Sequence, residues 1–66
     1  MSVAKVTEIS ASSSKSFEKA MKKGIKRASE TLENITGAWL ESQKVTVIDG
    51  KVDQYRVIMK VTFVLK

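Results

Sequence analysis

Tyr55, Val57, Met59, Val61, Phe63 and Leu65 stand at strict two-residue spacing in the last part of the chain. Successive side chains of an extended chain alternate between faces, so this spacing turns all six to one side of a strand. The intervening Arg56, Ile58, Lys60, Thr62 and Val64 form a mixed opposite face. The stretch therefore predicts a strand with one face in a core and the other half covered by something else. At about 3.3 Å per residue, 55–65 spans roughly 36 Å. That is long for a chain of 66 residues, and such a strand needs partners.

The rest of the chain supplies them in order. Val3–Ile9, short and rich in β-branched residues, predicts a first strand. Ser10–Ser14, broken only by Ala11, predicts a connector whose hydroxyls cap a helix, with Ser13 as N-cap. From Ser14 to about Asn34 the period is helical: Phe17, Ala20, Met21, Ile25, Ala28 and Leu32 recur at three- and four-residue steps. Gly24 lies on the same stripe. It costs up to about 1 kcal/mol relative to alanine in a helix interior, which points to close backbone packing as its purpose. The other side carries Lys19, Lys22, Lys23, Lys26, Arg27, Glu30 and Glu33, and Glu18 precedes Lys22 in the favourable i,i+4 order.

Asn34–Gly37 is expected to close the helix, and Ala38–Ile48 to run extended. Ala38 and Leu40 share one parity while Val45 and Val47 take the other, so a bulge near Ser42–Gln43 is expected to switch the faces. Asp49–Gly50 between two β-rich runs predicts a type I′ hairpin turn, with the last strand pairing back antiparallel from Lys51. The fold class is therefore α+β. A single domain, 1–66, has the order β-α-β-β, with a three-stranded antiparallel sheet packed on one helix. Ile58 and Val64 leave the second face partly apolar, and 66 residues stand near the lower limit for a self-sufficient core. Both features predict a homo-oligomer.

The composition restricts the chemistry. There is no cysteine and no histidine, which excludes disulfides and the usual zinc spacings. A base or nucleophile would have to come from Asp, Glu, Lys, Tyr or Ser. The seven acids are scattered, and no EF-hand loop, P-loop or dinucleotide glycine pattern is present. The expectation is a protein that is not an enzyme. Acids meeting at the symmetry axes of an oligomer leave a cation site open, its residues unknown. The net charge of +5 suits either solubility or anionic ligands. The lysine stripe reads either as a solvated helix surface or as a phosphate-following face. Trp39 and Tyr55 are the only aromatics outside the presumed core, so the paired platform of single-strand binders is missing and nucleic acid is not the expected partner. MSVAKVTEIS holds no apolar run of signal-peptide or membrane-span length, which gives a cytoplasmic placement without a membrane partner as the expectation.

Three pieces of the chain together resemble the dodecins, small flavin-binding proteins that form a hollow twelve-subunit sphere. They are Ser12–Ser13 and Ser16–Phe17 ahead of Ala20, the run from Ile25 to Ile35, and Tyr55-Arg-Val-Ile-Met-Lys-Val-Thr-Phe63. The resemblance implies a homododecameric shell that binds and sequesters riboflavin or FMN. In that family a tryptophan at the start of the second strand, with its symmetry mate, sandwiches two stacked isoalloxazine rings. A glutamine on the third strand hydrogen-bonds the ring edge. Here the tryptophan position falls on Gly37 and the glutamine position on Arg56. Trp39 stands two residues beyond Gly37, on the same face of a regular strand. It is either a relocated platform for a planar ligand, with Arg56 supplying charge or stacking, or a tryptophan packed in a subunit contact. The candidate ligand residues are thus Trp39, Arg56 and Gly37. The alternatives are a shell of the same build that binds a metal ion or another anionic ligand, and, third, a basic nucleic-acid-binding module.

Overall fold

A computed structural model describes residues 3–65. Four elements follow in the expected order: β1 (Val3–Ser13), α1 (Phe17–Ala28), β2 (Ile35–Ile48) and β3 (Lys51–Leu65). The sheet order is β1-β3-β2 and both pairings are antiparallel. β3 is therefore the central strand. Its alternate residues Val57, Met59 and Val61 are fully buried under the helix, while Arg56 on the other face is exposed.

Four boundaries differ from the sequence reading. β1 continues to Ser13 instead of stopping at Ile9, because Ser10, Ala11, Ser12 and Ser13 pair with Ile58, Val57, Arg56 and Tyr55. Backbone pairing along the full length of β3 overrides the weak strand preference of serine. The helix is correspondingly shorter than Ser14–Asn34. Its N-cap is Ser16, whose hydroxyl accepts from the Lys19 N–H at 3.0 Å, not Ser13, which accepts from Lys15 N–H. Its end comes at Ala28. The Ser29 hydroxyl donates to the Lys26 carbonyl at 2.7 Å, and the Glu30 and Thr31 N–H groups bond three residues back. These local bonds tighten the last turn and compete with a continuing helix. Leu32, Glu30 and Glu33 thus lie outside the helix, and β2 starts at Ile35 instead of Ala38.

The hairpin follows the reading closely. Asp49 and Gly50 have φ of 52° and 76°, the two positive values that a type I′ turn requires. The expected bulge is present between Leu40 and Ser42, slightly before Ser42–Gln43. A second register shift lies between Ile35 and Gly37 and a third between Thr46 and Val47. Glu18 and Lys22 form their ion pair at 3.1 Å.

The core is small and off-centre. Ala20, Val57 and Met59 form it, with Ile9, Ala11, Phe17, Met21 and Ile25 packed around. Phe17 and Tyr55 meet edge to face at 5.1 Å. All of these belong to β1, α1 and β3. A helix of 12 residues reaches only about 18 Å, against a longest dimension of 52 Å, so β2 and the hairpin tip extend past it.

At Gly24 the backbone of α1 lies close against the sheet. A Cβ built there would lie 2.7 Å from Met59 Cε and 3.0 Å from Ala11 Cβ. Gly24→Val should therefore destabilise the fold by about 1–3 kcal/mol through overpacking, measured by urea unfolding. Gly24→Ala should cost less, because its gain in helix propensity offsets part of the clash.

Candidate functional site

The face of the sheet turned away from α1 carries all three candidate residues, and the bulges of β2 bring them there. Directly paired residues share a face. Gly37 pairs with Thr62, Trp39 with Lys60 and Lys44 with Arg56, all opposite the buried Val57–Met59–Val61 row. Trp39 and Lys44 differ in parity, and only the extra residue Glu41 between Leu40 and Ser42 places both on this side. The shift between Ile35 and Gly37 acts likewise: Ile35 faces the helix with Phe63, while Gly37 faces away.

Trp39 is 49% exposed. It heads a row across the sheet, Trp39–Lys60–Glu8, in which the Lys60 ammonium and the Glu8 carboxylate are 4.0 Å apart. Gly37 is one row further along, and a Cβ there would meet no atom within 4 Å. Space for a large side chain or a ligand is therefore open beside Trp39. Arg56 is exposed on the same face but does not adjoin Trp39. It pairs with Lys44 on one side and Ser12 on the other, and it stands four positions along β3 from Lys60, about 13 Å. The structure thus groups Gly37 with Trp39 and sets Arg56 apart. Lys44 is the neighbour that sequence reasoning missed. Its link to Arg56 depends on a strand register shifted by a bulge, although the hairpin turn at Asp49–Gly50 gave the approximate pairing.

The edge-to-face pair of Phe17 and Tyr55 is the only aromatic pair among the described residues. Trp39 has no aromatic partner among the described residues, so a sandwich around a planar ligand needs a second copy of the ligand or of the protein. Among the described residues no group of three or more Asp and Glu gathers. A groove of about 450 Å³ lies elsewhere, along the free edge of β1, lined by Ile9, Ala11, Lys23, Gly24, Arg27 and Ala28. None of the candidate residues lines it. Among the described residues no helix is long and apolar enough to cross a membrane.

The single chain also leaves apolar surface open on the helix side. Leu40, Val45, Val47 and Val52 are 38–59% exposed there, beyond the reach of α1. The accessible surface is 4977 Å², against about 4,200 Å² for a compact monomer of this mass. The radius of gyration is 13.6 Å, against about 11 Å.

A family model described as Dodecin matches residues 3–66. Curated proteins give no match. Among solved structures, a dodecin from Streptomyces davaonensis is 32% identical, with a TM-score of 0.94 over 98% of this chain and 96% of that one. A T. thermophilus dodecin variant is 26% identical, with a TM-score of 0.95 over 100% of this chain and 98% of its own. A calcium dodecin from Mycobacterium tuberculosis, described as calcium-chelating, is 31% identical, with a TM-score of 0.84 over 97% and 91%.

Proposed function

The chain belongs to the dodecin family, and we propose that it is a non-enzymatic subunit of a homo-oligomeric shell that binds and sequesters a flavin, riboflavin or FMN. The observation that carries this reading is the half-exposed Trp39 on the helix-free face, with open space beside it at Gly37. An indole held on a sheet offers a flat apolar surface to a planar ring. The family's tryptophan position falls on Gly37, and the shift to Trp39 keeps an aromatic on the same face one row away, about 7 Å. Arg56, on that face, supplies positive charge to the ligand's ring edge or phosphate. The excess surface and the uncovered apolar strip of β2 support the assembly, which brings a second Trp39 to complete the sandwich.

Trp39→Ala tests the reading. Base–aromatic stacking contributes about 1–3 kcal/mol per ring, so riboflavin affinity should fall by roughly ten-fold or more, with Trp39→Phe retaining most of it. Equal affinity in Trp39→Ala and the parent protein, by quenching of flavin fluorescence, would remove the stacking role.

A further inference from the structure

The charge of the chain is concentrated on its helix. Residues 15–28 hold Lys15, Lys19, Lys22, Lys23, Lys26 and Arg27 against the single acid Glu18. Six cations less one acid leave +5, the net charge of the whole chain, and the remaining six cations and six acids cancel. Ala20, Gly24 and Ala28 bury one side of α1 against the sheet. Lys19, Lys22, Lys23 and Lys26, at i, i+3, i+4 and i+7, line the outer side and are exposed. Helix stability does not favour this arrangement. Lys19–Lys23, Lys22–Lys26 and Lys23–Arg27 are like-charge pairs at i,i+4, which destabilise a helix. The macrodipole favours Lys26 and Arg27 in the last turn but opposes Lys19 in the first. Glu18 lies 3.1 Å from Lys22 and Glu30 3.8 Å from Arg27, both as exposed pairs, which hold weakly. Lys19, Lys23 and Lys26 form no ion pair among the described residues.

From this we infer that the outer face of α1 is a docking surface for the phosphate backbone of duplex nucleic acid, bound without regard to sequence. Duplex DNA carries one negative charge per about 1.7 Å of its axis. Lysines about 5–6 Å apart on flexible stems can follow such a row, and each phosphate relieves the repulsion between them. Phe17, the one aromatic of α1, packs on the core and against Tyr55. The face therefore has no platform on which unpaired bases could stack, which favours a duplex over a single strand. Charge without apolar anchors also favours a duplex over an anionic membrane. Among the described residues every large, exposed apolar side chain belongs to β1, β2 or β3, and α1 has none to insert between lipids. The surface lies across the sheet from Trp39, so the inference is independent of the flavin reading. A homo-oligomer presents several copies of the stripe, which strengthens binding through multivalency.

Fluorescence anisotropy of a short labelled DNA duplex, titrated with the purified protein at several salt concentrations, tests this. Each neutralised phosphate contributes about −0.9 to the slope of log K against log salt. Lys19, Lys23 and Lys26 alone predict a slope of about −2.7 or steeper, a loss of about 40-fold in affinity between about 50 and 200 mM salt. A second duplex of unrelated sequence should bind equally. Lys19→Gln, Lys23→Gln and Lys26→Gln combined should flatten the slope by about 2.7 and weaken binding at about 50 mM salt by ten-fold or more, with unchanged far-UV circular dichroism. Lys5→Gln, Lys44→Gln and Lys51→Gln combined remove the same charge away from α1 and should leave binding at the parental level. Equal losses in the two triple variants would reduce the effect to net charge and overturn the surface. No binding of the duplex at about 50 mM salt, up to about 100 μM subunits, would also overturn it. Binding of phosphatidylserine vesicles but not of the duplex would overturn it in favour of a membrane surface. Should the α1 triple variant not fold, the parental slope decides: shallower than about −1, it overturns the surface. Riboflavin affinity enters none of these outcomes.

Discussion

Met59→Ala should lower the stability of the protein by about 2–5 kcal/mol, the largest loss expected from any single truncation. Met59 is fully buried at the middle of the central strand, packed with Ala20 and Val57. Its methyl group fills the space that Gly24 leaves by having no side chain, 2.7 Å from where a Cβ would stand. Both neighbouring layers are fixed around it, α1 by the Ser16 cap and the sheet by pairing on both sides. The cavity can therefore collapse little, which places the cost toward the upper part of the range. A chain of 66 residues has roughly 3–10 kcal/mol of stability in total, so the variant loses half or more of it. Met59→Leu, close in volume, should cost under about 1.5 kcal/mol. Urea unfolding at one fixed subunit concentration checks both, because assembly is linked to folding. A loss below about 1 kcal/mol in Met59→Ala would contradict the packing described.

The second large effect concerns assembly. If the chain assembles as proposed, Leu40→Asp combined with Val45→Asp should break the shell into small species without unfolding the subunit. Both side chains lie on the helix side of β2, Leu40 opposite Met59 and Val45 opposite Tyr55, yet neither belongs to the buried core of Ala20, Val57 and Met59. They are 41% and 38% exposed in the single chain, and Val47 and Val52 continue the strip toward the hairpin tip. In a shell this strip is the surface with most to gain from a neighbouring copy, at about 25 cal/mol per Å² of apolar area covered. Each carboxylate buried there without a partner opposes contact, and the effect repeats at every copy. Light scattering should show the parent as a large particle and the double variant as a monomer or small oligomer with unchanged far-UV circular dichroism. A double variant of parental size would exclude the strip from the interface.

The elements legible in the sequence were those fixed by local chemistry. The alternation from Tyr55 to Leu65 gave β3 and its buried face, Asp49–Gly50 gave the turn, and Gly24 on the apolar stripe gave the close contact of α1 with the sheet. The parity break between Leu40 and Val45 announced the bulge. What the sequence hid depends on tertiary pairing. Ser10–Ser13 has the composition of a connector and becomes strand because β3 offers it partners. Leu32 continues a helical stripe, and its N–H still bonds the Ala28 carbonyl at 2.8 Å. The Glu30 and Thr31 N–H groups, however, have turned to carbonyls three residues back and the Ser29 hydroxyl occupies the Lys26 carbonyl, so the helix ends. For the candidate site, the shared face of Gly37, Trp39 and Arg56 followed from the predicted strands. The separation of Trp39 from Arg56, and the pairing of Arg56 with Lys44, depend on a register that two bulges set.

Trp39 is the only tryptophan, so its own emission reports on the face proposed to hold the ligand. Riboflavin titrated into the purified protein, with indole and flavin fluorescence followed together, decides whether Trp39 stacks on the flavin ring. Both signals should be quenched in step and saturate near one flavin per subunit. Flavin emission unchanged, or quenched while Trp39 emission follows only the inner-filter loss, would contradict that stacking.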